Sequence, residues 1–255
     1  MKKIGIIGCG WLGFRIAQKL SDSFKIYTTT TSSDKIKELE SKGFNPTILN
    51  LPDYQLSENN IKWEVVSDLD VIIITVPFSN KNCCVSSLYN KIQNLTLLIG
   101  DFKGQMFLMS STSVYPNSIQ EFSEEDLLSD NISYERMIKN NYPQINILRL
   151  AGLMGDKRLL CNYNISDVDS IVNHIHYVDV CSVINKMINS QSQSKIYNVV
   201  APIHPTKKEI IDIQKNNIVL EKYDPTIIGR KISSSKLIQE LDFTFQYPDP
   251  RYFHL

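Results

Sequence analysis

The sequence has no excess of charge and no long apolar run, and both absences exclude classes of function. Its 255 residues carry 27 basic and 27 acidic side chains, which argues against a nucleic acid or an anionic membrane surface as the main partner. No apolar stretch approaches the roughly 20 residues of a membrane-spanning helix. Hydrophobic residues make up 42% of the chain, enough for one large α/β core, with or without a small lobe.

Cysteine is scarce as well. The five cysteines are scattered, and two of them, Cys83 and Cys84, are adjacent, which is not the spacing of a zinc knuckle. We therefore expect reduced thiols and a cytoplasmic protein. The N-terminal MKKIGIIGCGWLG has lysines before apolar residues, as a signal peptide has, but its glycines and strand-like start favour a buried first strand.

Short apolar runs alternate with helical stretches along the chain. Residues 71–76, VIIITV, are β-branched and wholly apolar, as is typical of a strand buried on both faces. This alternation predicts an α/β, Rossmann-type doubly wound parallel sheet. Strands are predicted at 3–7, 24–29, 45–51, 71–76, 106–110, 145–150 and 197–200, helices at 13–20, 33–42, 133–141, 174–189 and 207–215, and an extended C-terminal arm at YPDPRYFHL.

The segment GCGWLG places Gly8, Gly10 and Gly13 in G-x-G-x-x-G spacing. The segment follows a predicted strand and opens an amphipathic helix, which is the context of a dinucleotide-binding turn. Its first glycine permits the tight turn, the second lets a pyrophosphate approach the backbone, and the third lets helix and strand pack closely. The helix start would offer N–H groups and partial positive charge to phosphates.

The end of the second predicted strand favours NADP over NAD. A carboxylate there would bind the adenosine ribose of NAD, but this chain has YTTTTSSDK, with Lys35 close by and Asp34 expected to cap the next helix. NAD stays the alternative, since no arginine is present to hold the extra phosphate. The residues predicted to contact the cofactor are Gly8, Gly10, Trp11, Leu12, Gly13, Thr30, Thr31, Ser32, Val76, Pro77 and Ser110.

Six segments in one order carry a resemblance to a known family: GCGWLG, VIIITVP, MSSTSVYP, ILRLAGLMGDKR, NHIHYVDV and YNVVAP. Together they resemble the extended or atypical branch of the short-chain dehydrogenase/reductase superfamily, in its NAD(P)-dependent epimerase/dehydratase-like group, which includes YeeZ-like proteins. The resemblance implies a Rossmann domain at 1–155, with returning segments near 174–200, and a smaller substrate lobe at 156–255. It also implies a sugar-like or small carbonyl substrate, such as a nucleotide-sugar, and a homodimer is a further expectation.

The family's catalytic set is a serine or threonine, a tyrosine and a lysine. Ser111, four residues before Tyr115, matches the first position, with Thr112 as the near alternative. In SYERMIK, Lys139 follows Tyr134 by five residues, about 140° around a helix instead of the about 40° of an i,i+4 pair. Two interpretations stay open: the tyrosine–lysine pair is absent, or a π-bulge or helix shift brings Tyr134 and Lys139 together with Ser111.

The spacing on this helix also bears on Glu135. Glu135 and Lys139 have the i,i+4 spacing of a surface ion pair. In the family, an acidic residue commonly follows the catalytic lysine by four, and Glu135 is well placed to be it. The tyrosine and lysine positions would then be Leu127 and Asn131, which cannot do this chemistry.

Two arginines and two histidines further along the chain are the remaining polar candidates. Arg149 matches the family's strand-end arginine, and Arg158 could hold a phosphate or carboxylate of the substrate. His174 and His176 lack a nearby third ligand, so no metal site is predicted.

The leading hypothesis is an NAD(P)-dependent oxidoreductase or epimerase-like enzyme. The alternative is a catalytically degenerate dinucleotide-binding sensor or interaction protein that lacks the tyrosine–lysine pair.

Overall fold

The chain forms an α/β fold around a seven-stranded parallel sheet flanked by helices, which confirms the predicted fold class. The computed structural model describes residues 1–56, 63–78, 85–126, 132–216 and 229–255. The strands are β1 Lys3–Ile7, β2 Lys25–Thr30, β3 Asn45–Ile48, β4 Val71–Ile74, β5 Gln105–Ser111, β6 Glu121–Phe122, β7 Asn146–Leu150, β8 Gly152–Met154, β9 His174–His176, β10 Ile196–Val199 and β11 Lys231–Ile232. The helices are α1 Trp11–Leu20, α2 Asp34–Ser41, α3 Val85–Ile99, α4 Ser133–Asn141, α5 Tyr177–Asn189, α6 Lys207–Asn216 and α7 Ser235–Leu241.

The order of the central sheet is β10-β7-β5-β4-β1-β2-β3. The chain winds outward from β1 to β3 on one side and from β4 through β5, β7 and β10 on the other. The order therefore reverses between β1 and β4, and ligands of open α/β sheets bind at the carboxyl ends of the strands beside such a reversal. The four residues of β4, VIII, are each at most 1% exposed, as a strand covered on both faces requires.

The fold divides into two compact units. The first unit comprises Met1–Ser110, Ile132–Ile147 and Ile188–Lys195, and the second comprises Ser111–Asn131, Leu148–Met187 and Ile196–Leu255. The second unit holds two small parallel sheets, β11-β6 and β8-β9.

The C-terminal arm, residues 242–255, is anchored within the second unit. The buried Asp179 accepts hydrogen bonds from the backbone N–H groups of Gln246 (2.8 Å) and Tyr247 (3.0 Å). Asp249 pairs with Arg251 at 2.7 Å, and Pro250–Tyr252 form a 3-10 turn. The prediction of an extended arm at YPDPRYFHL therefore needs correction, because the 3-10 turn is followed by a further turn at Phe253 and His254 and the segment is only partly extended.

The predicted elements need several corrections. The predicted helix at 174–189 is a strand, β9, followed by α5, because the first three residues pair with β8. Helices α3 and α7 and the short strands β6, β8 and β11 were not predicted. Asp34 does not cap α2: it lies in the first turn, and the N-cap residue is Ser33, without a side-chain capping bond.

Within the described ranges, we find no helix whose length and apolar content would let it cross a membrane.

Candidate functional site

A glycine turn joins β1 to α1, and its two outer glycines are sterically required. Gly8 has φ +93°, a conformation that favours glycine, and a Cβ there would lie 2.5 Å from Val76 Cγ1. A Cβ on Gly13 would lie 2.6 Å from the carbonyl oxygen of Gly8, so only glycine lets α1 pack this closely against the turn. Gly10 differs, because a Cβ there would meet no atom within 4 Å.

Two neighbouring strands hold the turn in place. The Gly8 N–H donates to Thr29 Oγ1 (2.9 Å), and the Cys9 N–H donates to the Thr29 carbonyl (2.7 Å). On the other side, Thr75 Oγ1 donates to the Gly8 carbonyl. The carboxyl ends of β2 and β4 therefore fix the backbone of the turn before any ligand binds.

A cavity of about 330 Å³ opens beside this turn in the first unit. Seven of the residues predicted to contact the cofactor line it: Gly8, Gly10, Thr30, Thr31, Ser32, Val76 and Pro77. The remaining lining residues are Ile7, Cys9, Thr29, Lys35, Leu49, Asn50, Leu51, Thr75 and Lys91.

The charge of the cavity suits an anionic ligand. Lys35 and Lys91 contribute two cations, and among the described residues no carboxylate lines the cavity. Burial raises the pKa of the Cys9 thiol to about 11, so the thiol is neutral near pH 7. The start of α1 has no acidic residue in its first turn and no side-chain cap, which leaves its partial positive charge for a ligand.

Four residues predicted to contact the cofactor do not line this cavity. Trp11 lies under the Arg15 guanidinium, 3.9 Å from its ring centroid, and Leu12 is buried with Gly13 on the inner face of α1. Ser110 forms hydrogen bonds with Tyr134 and Glu135 of α4. For Trp11 and Leu12, the spacing of the glycine motif does not distinguish a backbone contact from a side chain that faces the core.

Part of the cavity lining is not predicted from the sequence. Leu49, Asn50 and Leu51 follow β3, and the carboxyl end of a parallel strand is itself a signal for ligand contact. Lys91 lies on the unpredicted α3, where its ammonium donates to the Pro77 carbonyl (2.7 Å). No local motif marks Lys91, since only the packing of α3 brings it to the cavity.

Ser110, Tyr134 and Glu135 form a buried hydrogen-bonded chain in the first unit. Ser110 Oγ donates to Glu135 Oε1 (2.5 Å) and lies 2.6 Å from Tyr134 Oη. Because the serine proton is directed to the carboxylate, the tyrosine is the donor to Ser110. The Tyr134 ring also stacks on Phe78, with centroids 6.4 Å apart. The surface ion pair expected between Glu135 and Lys139 needs correction, because Glu135 is only 2% exposed and faces β5.

Helix α4 does not bring Lys139 to the face of Tyr134. The helix is α-helical over all of Ser133–Asn141, so the five-residue spacing keeps its separation of about 140°. The position four residues after Tyr134 is Ile138, which is 1% exposed. An apolar side chain therefore stands where a lysine partner would be.

The third predicted catalytic residue, Ser111, lies in the second unit and lines a separate cavity of about 550 Å³. Its Oγ accepts a hydrogen bond from the Ser113 N–H (3.1 Å). The hydroxyl proton of Ser111 can therefore be donated to a ligand. Thr112, the near alternative, lines the same cavity and is 5% exposed.

Arg149 is a structural residue of the second unit. It is 1% exposed, and its Nη1 donates to Tyr115 Oη (3.1 Å) and to the Glu124 carbonyl (3.2 Å). Tyr115 Oη in turn donates to Asn198 Oδ1 (2.7 Å). This buried network ties the segment after β5 to β7 and β10.

His176 is packed among aromatic rings, with the Tyr247 centroid 3.9 Å away. Burial lowers the pKa of His176 to about 4. Across the described residues, no cluster of histidine, cysteine or carboxylate side chains could hold a metal ion. His176 thus belongs to the packing of the second unit.

The chain is similar to known proteins over almost its whole length. No protein-family model matches the chain. The chain is 26% identical to protein YeeZ of Escherichia coli over 270 residues, which covers 98% of each chain. Among solved structures, it is similar to ADP-L-glycero-D-manno-heptose-6-epimerase of Helicobacter pylori (TM-score 0.75, 15% identity, 99% and 93% of the two chains). It is also similar to UDP-glucose 4-epimerase of Bifidobacterium longum in complex with NAD+ and UDP (TM-score 0.71, 14% identity, 99% and 96%).

Three independent observations indicate the same kind of fold. They are the order of the sheet, the glycine turn, and the similarity to YeeZ along almost the whole length. The chain thus shares the fold of these solved epimerases, and it is similar to protein YeeZ along almost the whole length of both chains.

Proposed function

We propose that this protein binds a nicotinamide dinucleotide, NADP in preference to NAD, in the cavity beside the glycine turn. We further propose that it acts as an oxidoreductase or epimerase-like enzyme on a sugar-like or small carbonyl substrate. A bound nicotinamide dinucleotide would supply hydride exchange with a carbon of that substrate.

The glycine turn carries the cofactor proposal. Gly10 leaves open space beside the start of α1, where a pyrophosphate would meet backbone N–H groups. The similar B. longum epimerase is complexed with NAD+, which supports the same class of cofactor here.

The hydroxyl-rich end of β2 supports the choice of NADP. Thr31, Ser32 and Lys35 line the cavity and would hold the additional phosphate by hydroxyl and ammonium donors. An aspartate at position 31 would repel that phosphate and accept from the ribose hydroxyls of NAD instead.

Ser111 is the proposed group that polarises the substrate. Its hydroxyl proton is available because its oxygen already accepts from a backbone N–H. It would donate to a carbonyl or alkoxide oxygen of the substrate, where negative charge develops during hydride transfer. Tyr134 and Lys139 stay predicted catalytic residues, to be tested one by one.

A titration with NADPH and with NADH, followed by nicotinamide fluorescence, tests the cofactor proposal. We expect NADPH to bind at least about tenfold more tightly than NADH. Thr31→Asp should reverse the preference, whereas the control Ser23→Asp, an exposed position before β2, should not. Binding of neither cofactor would overturn the proposal, and equal binding would overturn the choice of NADP.

The second candidate is a catalytically degenerate dinucleotide-binding sensor or interaction protein. It is favoured by Ile138, which stands in the place of a lysine partner for Tyr134. If Ser111→Ala loses turnover of a carbonyl substrate but keeps NADPH affinity, the enzyme is supported. If no carbonyl substrate turns over and NADPH changes affinity for a protein partner, the sensor is supported. The homodimer and the cytoplasmic location stay predictions, and light scattering of the purified chain checks the first.

A further inference from the structure

The cavity of about 550 Å³ in the second unit has a polar lining that the cofactor proposal does not use. All of its lining residues belong to the second unit, whereas those of the cavity beside the glycine turn belong to the first. Its lining includes Ser111, Asn173, His174, the two cations Lys207 and Arg230, and one carboxylate, that of Asp167.

Arg230 is a half-buried cation without a carboxylate. Its Nη1 donates to the backbone carbonyl of Tyr115 at 3.3 Å, and in the described part of the chain no acidic side chain pairs with it. Burial lowers the pKa of this guanidinium, which reflects the cost of a cation held away from water. A guanidinium has five N–H donors in a fork that matches carboxylate and phosphate oxygens. Among the described residues, most of the donors of Arg230 have no protein acceptor, so they can bind such an anion.

The backbone of Arg230 is fixed in advance. Asn173 Nδ2 donates to the Arg230 carbonyl (2.8 Å), and Asn173 Oδ1 accepts from the Ile232 N–H (2.8 Å). One half-buried amide thus holds the chain on both sides of residue 231. The arginine is therefore presented from an ordered segment, which lowers the entropy cost of binding.

Lys207 is already partly neutralised. Its ammonium lies 3.8 Å from Asp167 Oδ2 and donates to the Ser166 carbonyl (3.3 Å). Arg230 is accordingly the cation of this cavity that can take a new anion.

His174 supplies a neutral polar group on the same cavity. Burial lowers its pKa to about 4, and Lys207 adds to the effect, so the ring is uncharged near pH 7. Among the residues the structure describes, no group hydrogen-bonds to its ring nitrogens. Gly152 makes room for the ring, since a Cβ there would lie 2.5 Å from His174 Cδ2. A neutral imidazole offers one donor and one acceptor, which suits a hydroxyl group.

We propose that this cavity binds a small polyhydroxylated anion, with Arg230 on its phosphate or carboxylate and His174 and Ser111 on its hydroxyl groups. The proposal deepens the proposed function by naming the chemical class of its substrate. It favours a sugar phosphate or a sugar acid over a nucleotide, because no phenylalanine, tyrosine or tryptophan ring of the described residues lines the cavity to stack on a base.

Calorimetric titration of the full chain, without any dinucleotide, tests the proposal. The probes are glucose 6-phosphate, glucuronate, glucose and UDP. We expect glucose 6-phosphate or glucuronate to bind at least about tenfold more tightly than glucose, and the stronger of the two identifies the anionic group. Tighter binding of UDP than of both sugar anions would overturn the proposal, as would no binding of either anion at about 10 mM.

Variants assign the binding to Arg230. Arg230→Met should remove the preference for the anion over glucose, while Arg230→Lys should keep part of it. Lys208→Gln removes an exposed cation next to Lys207 on α6 and should bind the anions as the wild type does. An unchanged preference in a folded Arg230→Met protein would overturn the proposal. Since no cofactor is present, this result is independent of whether NADPH binds.

Discussion

Acidification should destabilise the second unit at pH values where most proteins of this size are stable. All four histidines of the chain belong to the second unit, and burial lowers the pKa of three of them, His174, His176 and His204, from 6.5 to about 4. A buried imidazole is held neutral because its cation would lose hydration. The unfolded chain has no such constraint.

The sign and size of the effect follow from linkage. Below pH 6.5 these histidines bind protons in the unfolded chain but stay neutral in the folded chain. The stability present above pH 6.5 is therefore lost as the pH falls toward 4. For one fully buried histidine, the loss between pH 7.5 and 5.5 is about 1.3 kcal/mol. His176 and His204 are 4% and 3% exposed, and together they should cost about 2.6 kcal/mol. His174 keeps some solvent contact and should contribute less.

The assay is urea unfolding followed by far-ultraviolet circular dichroism. Tryptophan fluorescence would report on the wrong unit, because both tryptophans, Trp11 and Trp63, lie in the first unit. His176→Phe is the matched variant, because its ring can keep the stacking on Tyr247 while it cannot bind a proton. The variant should lose about 1.3 kcal/mol less stability than the wild type between pH 7.5 and 5.5. Burial raises the pKa of Glu124 and of Asp179, which opposes the histidines, but their effect largely cancels in this difference. The same pH dependence in both proteins would refute the argument.

Four further substitutions test packing and hydrogen bonds in the two units. Asp179→Asn should lower the free energy of unfolding by about 1–3 kcal/mol, because the amide cannot accept both N–H groups of the C-terminal arm; protease cleavage of the arm checks this, and wild-type resistance would contradict it. Gly13→Ala should cost about 1–3 kcal/mol of stability, whereas Gly10→Ala should unfold like the wild type yet bind NADPH more weakly, since its methyl group enters the cavity. Glu135→Gln should cost about 1–3 kcal/mol in urea unfolding by weakening its bond from Ser110, and an unchanged midpoint would show that this buried bond is not stabilising.

The sequence predicts the central sheet because its pattern is local. The run VIIITV needs no partner to be recognised as a buried strand, and the glycine spacing with its flanking strand and helix defines the turn. Short strands such as β8 and β9 are different. His174–His176 resemble the start of a helix in sequence, and only their pairing with Gly152–Met154 makes them a strand, so tertiary contact overrides the local preference.

The candidate site is predictable where one segment contributes it, and much less so where several segments converge. Thr30, Thr31 and Ser32 follow from the end of β2, and the structure places them on the cavity. Lys91 and Arg230 carry no motif, because their positions depend on α3 and on the amide of Asn173. Sequence patterns therefore miss two cations that line the cavities, Lys91 and Arg230, whereas Lys35 follows the end of β2 and is found from the sequence.

The same distinction governs the chemistry of α4. Spacing alone separates Tyr134 from Lys139, and the structure adds what spacing cannot, namely where the tyrosine proton goes. Ser110 donates its proton to Glu135 and therefore accepts from Tyr134, so the phenol is a donor inside the protein. To give its proton to a substrate, Tyr134 would first have to break its hydrogen bond to Ser110. No lysine stands at the i+4 position to lower the pKa of the phenol and stabilise the phenolate. The hydroxyl of Ser111, with its oxygen already satisfied by a backbone N–H, is under no such constraint, which is why Ser111 is the stronger candidate for contact with the reacting oxygen.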